Sequence, residues 1–206
     1  MSSISVAGDV SGAISIAAPS AAGSGVLTLP TGTDTLVGKA TTDTLTNKSI
    51  AATQLTGTIA ASALPAGSVL QVVNGTYATQ VSTTSATPVT TNLTATITPK
   101  FATSKILVIA SVQGIQKNAG NAVNGAMLSL YKNGSSILSN YAQYIGYNNT
   151  SSINKVGSNS LNYQDSPATT SATTYAIFVA SSVSGQTIGV QQDSDTSTIT
   201  LMEIAG

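Results

Sequence analysis

The chain is predicted to be all-β, with an extended N-terminal segment followed by an antiparallel β-sandwich of jelly-roll-like kind. Three observations predict this. Composition comes first: among 206 residues there are 29 Ser and 31 Thr, Val, Ile, Gly and Asn are plentiful, and Glu occurs once. That mixture favours strands and turns over helices. Next is the repeated period-two spacing of apolar residues, which places each set on one face of a strand. Last, Asn-Gly dipeptides lie among the alternating segments, and both central positions of a type I′ hairpin turn need positive φ.

Residues 1–66 form the first region. All seven tyrosines and both phenylalanines lie at or after Tyr77, so this region has none. Ile4 and Val6, Ile14 and Ile16, and Leu27 and Leu29 are pairs spaced by two, each fit for one face of a short strand. Gly8-Asp9, Pro19 to Gly25 and Pro30 to Gly32 supply turns. Leu45, Ile50, Leu55, Ile59 and Leu64 recur every four or five residues, which fits neither a strand nor a heptad; a short helix near 49–64 is an alternative there. So few large apolar residues cannot make an ordinary core. Either the region is a disordered Ser/Thr/Ala-rich tail, or its thin apolar stripe is buried when identical copies wrap around a common axis. Low charge favours assembly over disorder, and a homotrimer is the expected form.

The composition changes at Leu64-Pro65-Ala66-Gly67, a joint with strong turn signals. Residues 67–206 are numerous enough for a core that removes roughly 68–70% of the unfolded surface from water. Val69 to Val73 opens this region as a strand. Leu93, Ala95 and Ile97 alternate with Thr94, Thr96 and Thr98, a half-buried strand. Ile106 to Ala110 is continuously apolar and is expected to be a central strand covered on both faces. Met127, Ser129 and Tyr131 alternate with Leu128 and Leu130. Tyr175 to Ala180 is a second continuous run, and Thr196 to Ile204 closes the chain. Ile106, Val108, Ala176 and Phe178 are expected in the core. Asn74-Gly75, Asn124-Gly125 and Asn133-Gly134 are the hairpin signals, and Asn140 to Ser160 should hold one strand and a protruding loop.

Composition also excludes functions. His, Cys, Arg and Trp are absent and the net charge is zero. Without His or Cys there is no thiolate or imidazole metal site and no triad with a His base. Without Arg and net positive charge a nucleic-acid surface is not expected. The apolar runs are too short for a membrane-spanning helix, and no signal peptide is expected from the first residues. A charged fraction of 7% is low for an independent soluble monomer. Neither a metal nor a cofactor is expected. Asp193-Ser194-Asp195 reads as a polar turn rather than a cation loop, since a full ligand set is missing. With Asp165, Asp193, Asp195 and Glu203 the only acids after residue 67, paired-carboxylate catalysis is not expected either. Glu203 reads as an edge or surface charge.

Tyr141, Tyr144, Tyr147 and Tyr163, with Asn148 and Asn149, are the candidate receptor-binding residues. A tyrosine offers a flat apolar face and a hydroxyl, suited to a sugar ring, and loops on a rigid β scaffold are where binding sits. The alternative is that these tyrosines pack between strands or protomers.

Several segments carry a resemblance. Gly12-Ala13-Ile14-Ser15-Ile16-Ala17-Ala18-Pro19 and Ala22-Gly23-Ser24-Gly25-Val26-Leu27-Thr28-Leu29-Pro30 resemble a segment of tailed-bacteriophage fibre proteins. Thr44-Leu45-Thr46-Asn47-Lys48-Ser49-Ile50 is similar to another fibre element. Leu64 to Val72 looks like the start of a fibre's C-terminal domain. Within that domain, Ile97-Thr98-Pro99, Ser104 to Val108, Asp165 to Tyr175 and Ser197 to Ile204 fit the same pattern. The resemblance implies a non-enzymatic, homotrimeric virion appendage on the tail or capsid exterior. Residues 1–66 would dock on another virion protein, and residues 67–206 would form a knob that meets a host-surface glycan or protein. A tail fibre, docked on an adaptor or baseplate, is the first expectation. A head fibre or capsid decoration protein is the alternative.

Overall fold

The structure is a computed structural model and describes residues 3–7, 13–17, 31, 48–51, 53, 56–117, 123–139 and 151–206. The chain divides into two compact units, Met1–Thr56 and Gly57–Gly206. In the first, β1 (Ser3–Ala7) and β2 (Ala13–Ala17) pair antiparallel, with Ile4 opposite Ile16 and Val6 opposite Ile14. The spaced pairs read from the sequence are thus register partners. Leu27 and Leu29 lie outside the described residues.

The second unit is built from β3 (Val69–Tyr77), β4 (Val81–Thr83), β5 (Val89–Ile97), β6 (Lys105–Lys117), β7 (Ala126–Lys132), β8 (Ser135–Ser139), β9 (Ile153–Asp165), β10 (Thr173–Ser181), β11 (Ile188–Val190) and β12 (Ser197–Ile204). No α-helix occurs among the described residues; Ala61–Ala63 and Gln192–Ser194 are 3-10 turns. The strands form two antiparallel sheets, an all-β architecture. One has the order β5-β10-β7-β8. In the other, β6 is flanked by β9 along one edge and by β12 and then β11 along the other, and β3 and β4 pair outside β12 and β11 respectively. Four ribbons therefore make each sheet. The chain passes from one sheet to the other six times between β4 and β11.

The core lies between the sheets. Leu93, Ile97, Ile106, Val108, Val112, Leu128, Leu130, Ile177, Val179, Ile199 and Leu201 are buried there. The threonine alternation of β5 behaves as its pattern predicts: Leu93, Ala95 and Ile97 point inward, while Thr94, Thr96 and Thr98 are exposed. Asn133-Gly134 forms the β7–β8 hairpin with φ of 48° and 83°, the two positive values of a type I′ turn.

Four expectations are corrected. The run Ile106 to Ala110 is central but covered on one face only, since Leu107 is half-buried and Ile109 is 38% exposed. In β10 the inward residues are Tyr175, Ile177 and Val179, while Ala176 and Phe178 face outward and are half-buried. A continuously apolar run has no alternation from which to choose between its faces. Asn74-Gly75 is not a turn but the interior of β3. A Cβ at Gly75 would stand 2.1 Å from the Thr94 carbonyl oxygen, so glycine here permits close approach of the two sheets. Gly75→Ala is expected to cost about 1–3 kcal/mol through overpacking, read as a lowered urea midpoint. Asn124-Gly125 is likewise no hairpin. Buried Asn124 accepts a hydrogen bond from Ser181 Oγ at 2.7 Å and donates to the Thr187 carbonyl, and the Gly125 N–H donates to Ser182 Oγ at 2.8 Å. These contacts tie the start of β7 to the end of β10.

Glu203 is the fifth correction: it is fully buried. Its carboxylate accepts hydrogen bonds from the Lys100 N–H at 2.6 Å, from Ser104 Oγ at 2.7 Å and from Gln71 Nε2. Together these fasten β3, β12 and the turn between β5 and β6. Burial by itself pushes the carboxyl pKa up, but the donors from Ser104, Gln71, Lys100 and Phe101 outweigh it, and the net shift is downward. A folded pKa below the unfolded one adds stability at neutral pH that disappears as pH falls. Stability is therefore expected to drop below the ordinary carboxyl value of 4.5, and Glu203→Gln should flatten that acid limb in pH-dependent urea titrations.

Candidate functional site

Of the six candidate receptor-binding residues, Tyr141, Tyr144, Tyr147, Asn148 and Asn149 lie outside the described residues. Tyr163 is described. It is on β9 opposite Val108, and it is half-buried against the core cluster. The parity of β9 explains this, since Leu161, Tyr163 and Asp165 share the inward face.

The structure brings together a different aromatic pair. Tyr131 of β7 and Phe178 of β10 stack with ring centroids 3.9 Å apart and planes 20° from parallel. Antiparallel pairing places Tyr131 beside Ala176, and Phe178 beside Ser129, so the rings meet on the diagonal across two strands. Both point away from the core. The surrounding rows of this sheet face are hydroxyl-bearing. Thr90 and Thr94 of β5 stand beside Phe178 and Ala176, Thr96 and Thr174 share a hydrogen bond at 2.8 Å, and Ser136 and Ser139 of β8 lie 3.3 Å apart. An aromatic surface ringed by hydroxyls can cover an apolar sugar face and exchange hydrogen bonds with its hydroxyls. Sequence reasoning missed the pair because it placed Phe178 in the core, the wrong face of a continuously apolar run. The alternation of Tyr131 with Leu128 and Leu130 was the available signal.

The acidic groups of this unit are engaged in structure. Asp165, at the end of β9, accepts hydrogen bonds from Lys132 Nζ at 2.9 and 3.0 Å and from Tyr175 Oη at 2.7 Å. Lys132 and Tyr175 are themselves cross-strand partners in the opposite sheet, so the carboxylate joins the sheets. Burial, and then the bond to Asp165, push the Tyr175 hydroxyl pKa far up. On the turn between β11 and β12, Lys155 of β9 lies 2.9 Å from Asp195 and 3.6 Å from Asp193. The hydrogen bond with Asp195 is the main reason its pKa is raised. Asn154 also donates to Asp193, at 3.0 Å. Among the described residues no group of three or more acidic, His or Cys side chains is gathered for a metal ion. A depression of about 220 Å³, lined by Leu64, Phe101, Thr103 and Gly206 among others, is below the roughly 300–1,000 Å³ of ligand pockets. No helix among the described residues is long and apolar enough to cross a membrane.

No family model and no curated protein matches the chain. Among solved structures it is similar to dimeric latent PorU from Porphyromonas gingivalis, at 12% identity and a TM-score of 0.27, over 68% of this chain. The match spans 14% of that protein's chain, and at this TM-score it bears on neither fold nor function.

Proposed function

We propose that this chain is a structural fibre protein of a tailed-bacteriophage virion. In this reading residues 1–66 are a trimeric shaft that docks on another virion protein, a tail adaptor or baseplate. Residues 67–206 are the knob that meets a glycan or protein on the host surface. The observation that carries the reading is the order of fibre-like segments along the chain, from Gly12 to Ile204, with every aromatic residue in the knob. The strand order supports it, because two four-ribbon sheets with repeated crossings are the layout of a jelly roll. The chemistry agrees. Each of the four knob acids is engaged: Asp165 with Lys132 and Tyr175, Asp193 and Asp195 with Lys155, and Glu203 with its ring of donors. Recognition in this reading falls to partly exposed rings and to hydroxyls, with Tyr131 and Phe178 added to the candidates of the polar segment.

Competition tests it. Purified full-length chain should block adsorption of the virion to its host, and Tyr131→Ala should weaken that competition by about 2 kcal/mol, roughly 30-fold, with assembly unchanged. Failure of the wild-type chain to compete, with labelled protein seen on the capsid shell in virion images, would replace host attachment with capsid decoration.

A further inference from the structure

The outer face of the sheet containing β6 is chemically unlike the outer face of its partner sheet. Register defines its rows. Val69, Ile204 and Lys105 form the row nearest the start of β3; Val72, Met202, Leu107 and Gln164 form the next; Asn74, Thr200, Ile109 and Asn162 follow; Thr76, Thr198, Ser111 and Ser160 come last. Apolar side chains fill the rows at the β3 start and give way to hydroxyls at the far end. Val69 is 53% exposed, Val72 50% and Ile109 38%. They are three of the most exposed large apolar residues described. Leu107, Met202 and Ile204 are half-buried between them. Lys105 is the one charged side chain in these rows.

The geometry points to this face as the surface on which copies of the chain pack against each other in the knob, an inference that rests on the homotrimer reading above. Three considerations select a second copy as the occupant. The first is area. Four ribbons about 4.8 Å apart, over about eight residues at about 3.3 Å each, span on the order of 500 Å² of flat sheet. With side-chain relief this approaches the roughly 800 Å² per partner of a standard interface. The second is charge. The apolar side chains at the β3 start can pack on their own copies, and a charge-selective partner would find only Lys105. The third is supply. A region as poor in large apolar residues as 1–66 needs identical neighbours, and chains joined there hold their knobs at high effective concentration. A monomer with 7% charged residues and this patch in water would instead be prone to indiscriminate association.

The chain has no cysteine, so one introduced thiol reports one position. Val72→Cys and Ile109→Cys test the face; Thr96→Cys, on the outer face of the other sheet, is the reference. Each full-length variant would be sized by sedimentation, checked for β structure by circular dichroism, then exposed to maleimide and to a short bis-maleimide. The expected result is an assembled protein in which the thiols at 72 and 109 lose most of their alkylation and the one at 72 cross-links chains, while the thiol at 96 reacts freely. Assembled protein with all three thiols equally reactive would overturn the face assignment and leave the trimer standing. A wild-type chain that sediments as a monomer at every concentration would overturn both.

Discussion

Replacing Asp165 by alanine is expected to cost about 3–5 kcal/mol of folding stability, the range for breaking a buried ion pair from one side. The carboxylate is the one group that satisfies two donors of the opposite sheet, at 2.7 Å from Tyr175 Oη and 2.9 Å from Lys132 Nζ. The Lys132 side chain is 27% exposed and can turn its ammonium toward water once released. Tyr175 cannot, because it is fully buried and its hydroxyl would be left without an acceptor. The loss should therefore sit near the lower end of the range and be carried mainly by the tyrosine. Tyr175→Phe in the Asp165→Ala background should recover part of it, since both partners would then be gone. Urea denaturation with an unchanged slope would measure the effect; a midpoint equal to wild type would mean that the sheets are not joined at this point. The same tyrosine sets the alkaline limit. Its folded pKa is raised by burial and by Asp165, so its contribution is complete below the ordinary value of 10.0 and is lost as pH rises beyond it.

Ile177→Ala should cost about 2–5 kcal/mol, as for other fully buried branched side chains, and the neighbouring Phe178→Ala clearly less. Ile177 is fully enclosed between the sheets. Phe178 is larger, but it lies outside the core and is only partly buried, and its chief loss is the stack on Tyr131, about 0.5–1.5 kcal/mol beyond its burial. The ordering is opposite to what residue size alone suggests. Parallel thermal and urea denaturation of the two variants would check it, and a costlier Phe178→Ala would mean that β10 has been turned over.

The strand class of this protein was legible from residue types and period alone, and so was one hairpin. β5 could be assigned to its face because threonine and apolar residues alternate along it, and a half-buried strand has no other way to satisfy both sides. Asn133-Gly134 could be placed because positive φ at two successive positions is a local demand met by few residue pairs. Asn74-Gly75 carries the same two letters for another reason: its glycine answers the Thr94 carbonyl 2.1 Å from where a Cβ would stand, in a strand of the other sheet. β10 could not be phased, since every residue from Tyr175 to Ala180 is compatible with burial and only the opposing sheet chooses three of them. The same limit hid the Tyr131–Phe178 stack and the outward Leu107 and Ile109. Glu203 looked like a surface charge because its donors, Gln71, Lys100 and Ser104, are 99 to 132 residues away in the chain. Local sequence carries the periodicity of a strand and the dihedral demands of a turn. Which face is covered, and which buried charge has partners, depends on contacts between distant segments, and only the packed sheets decide those.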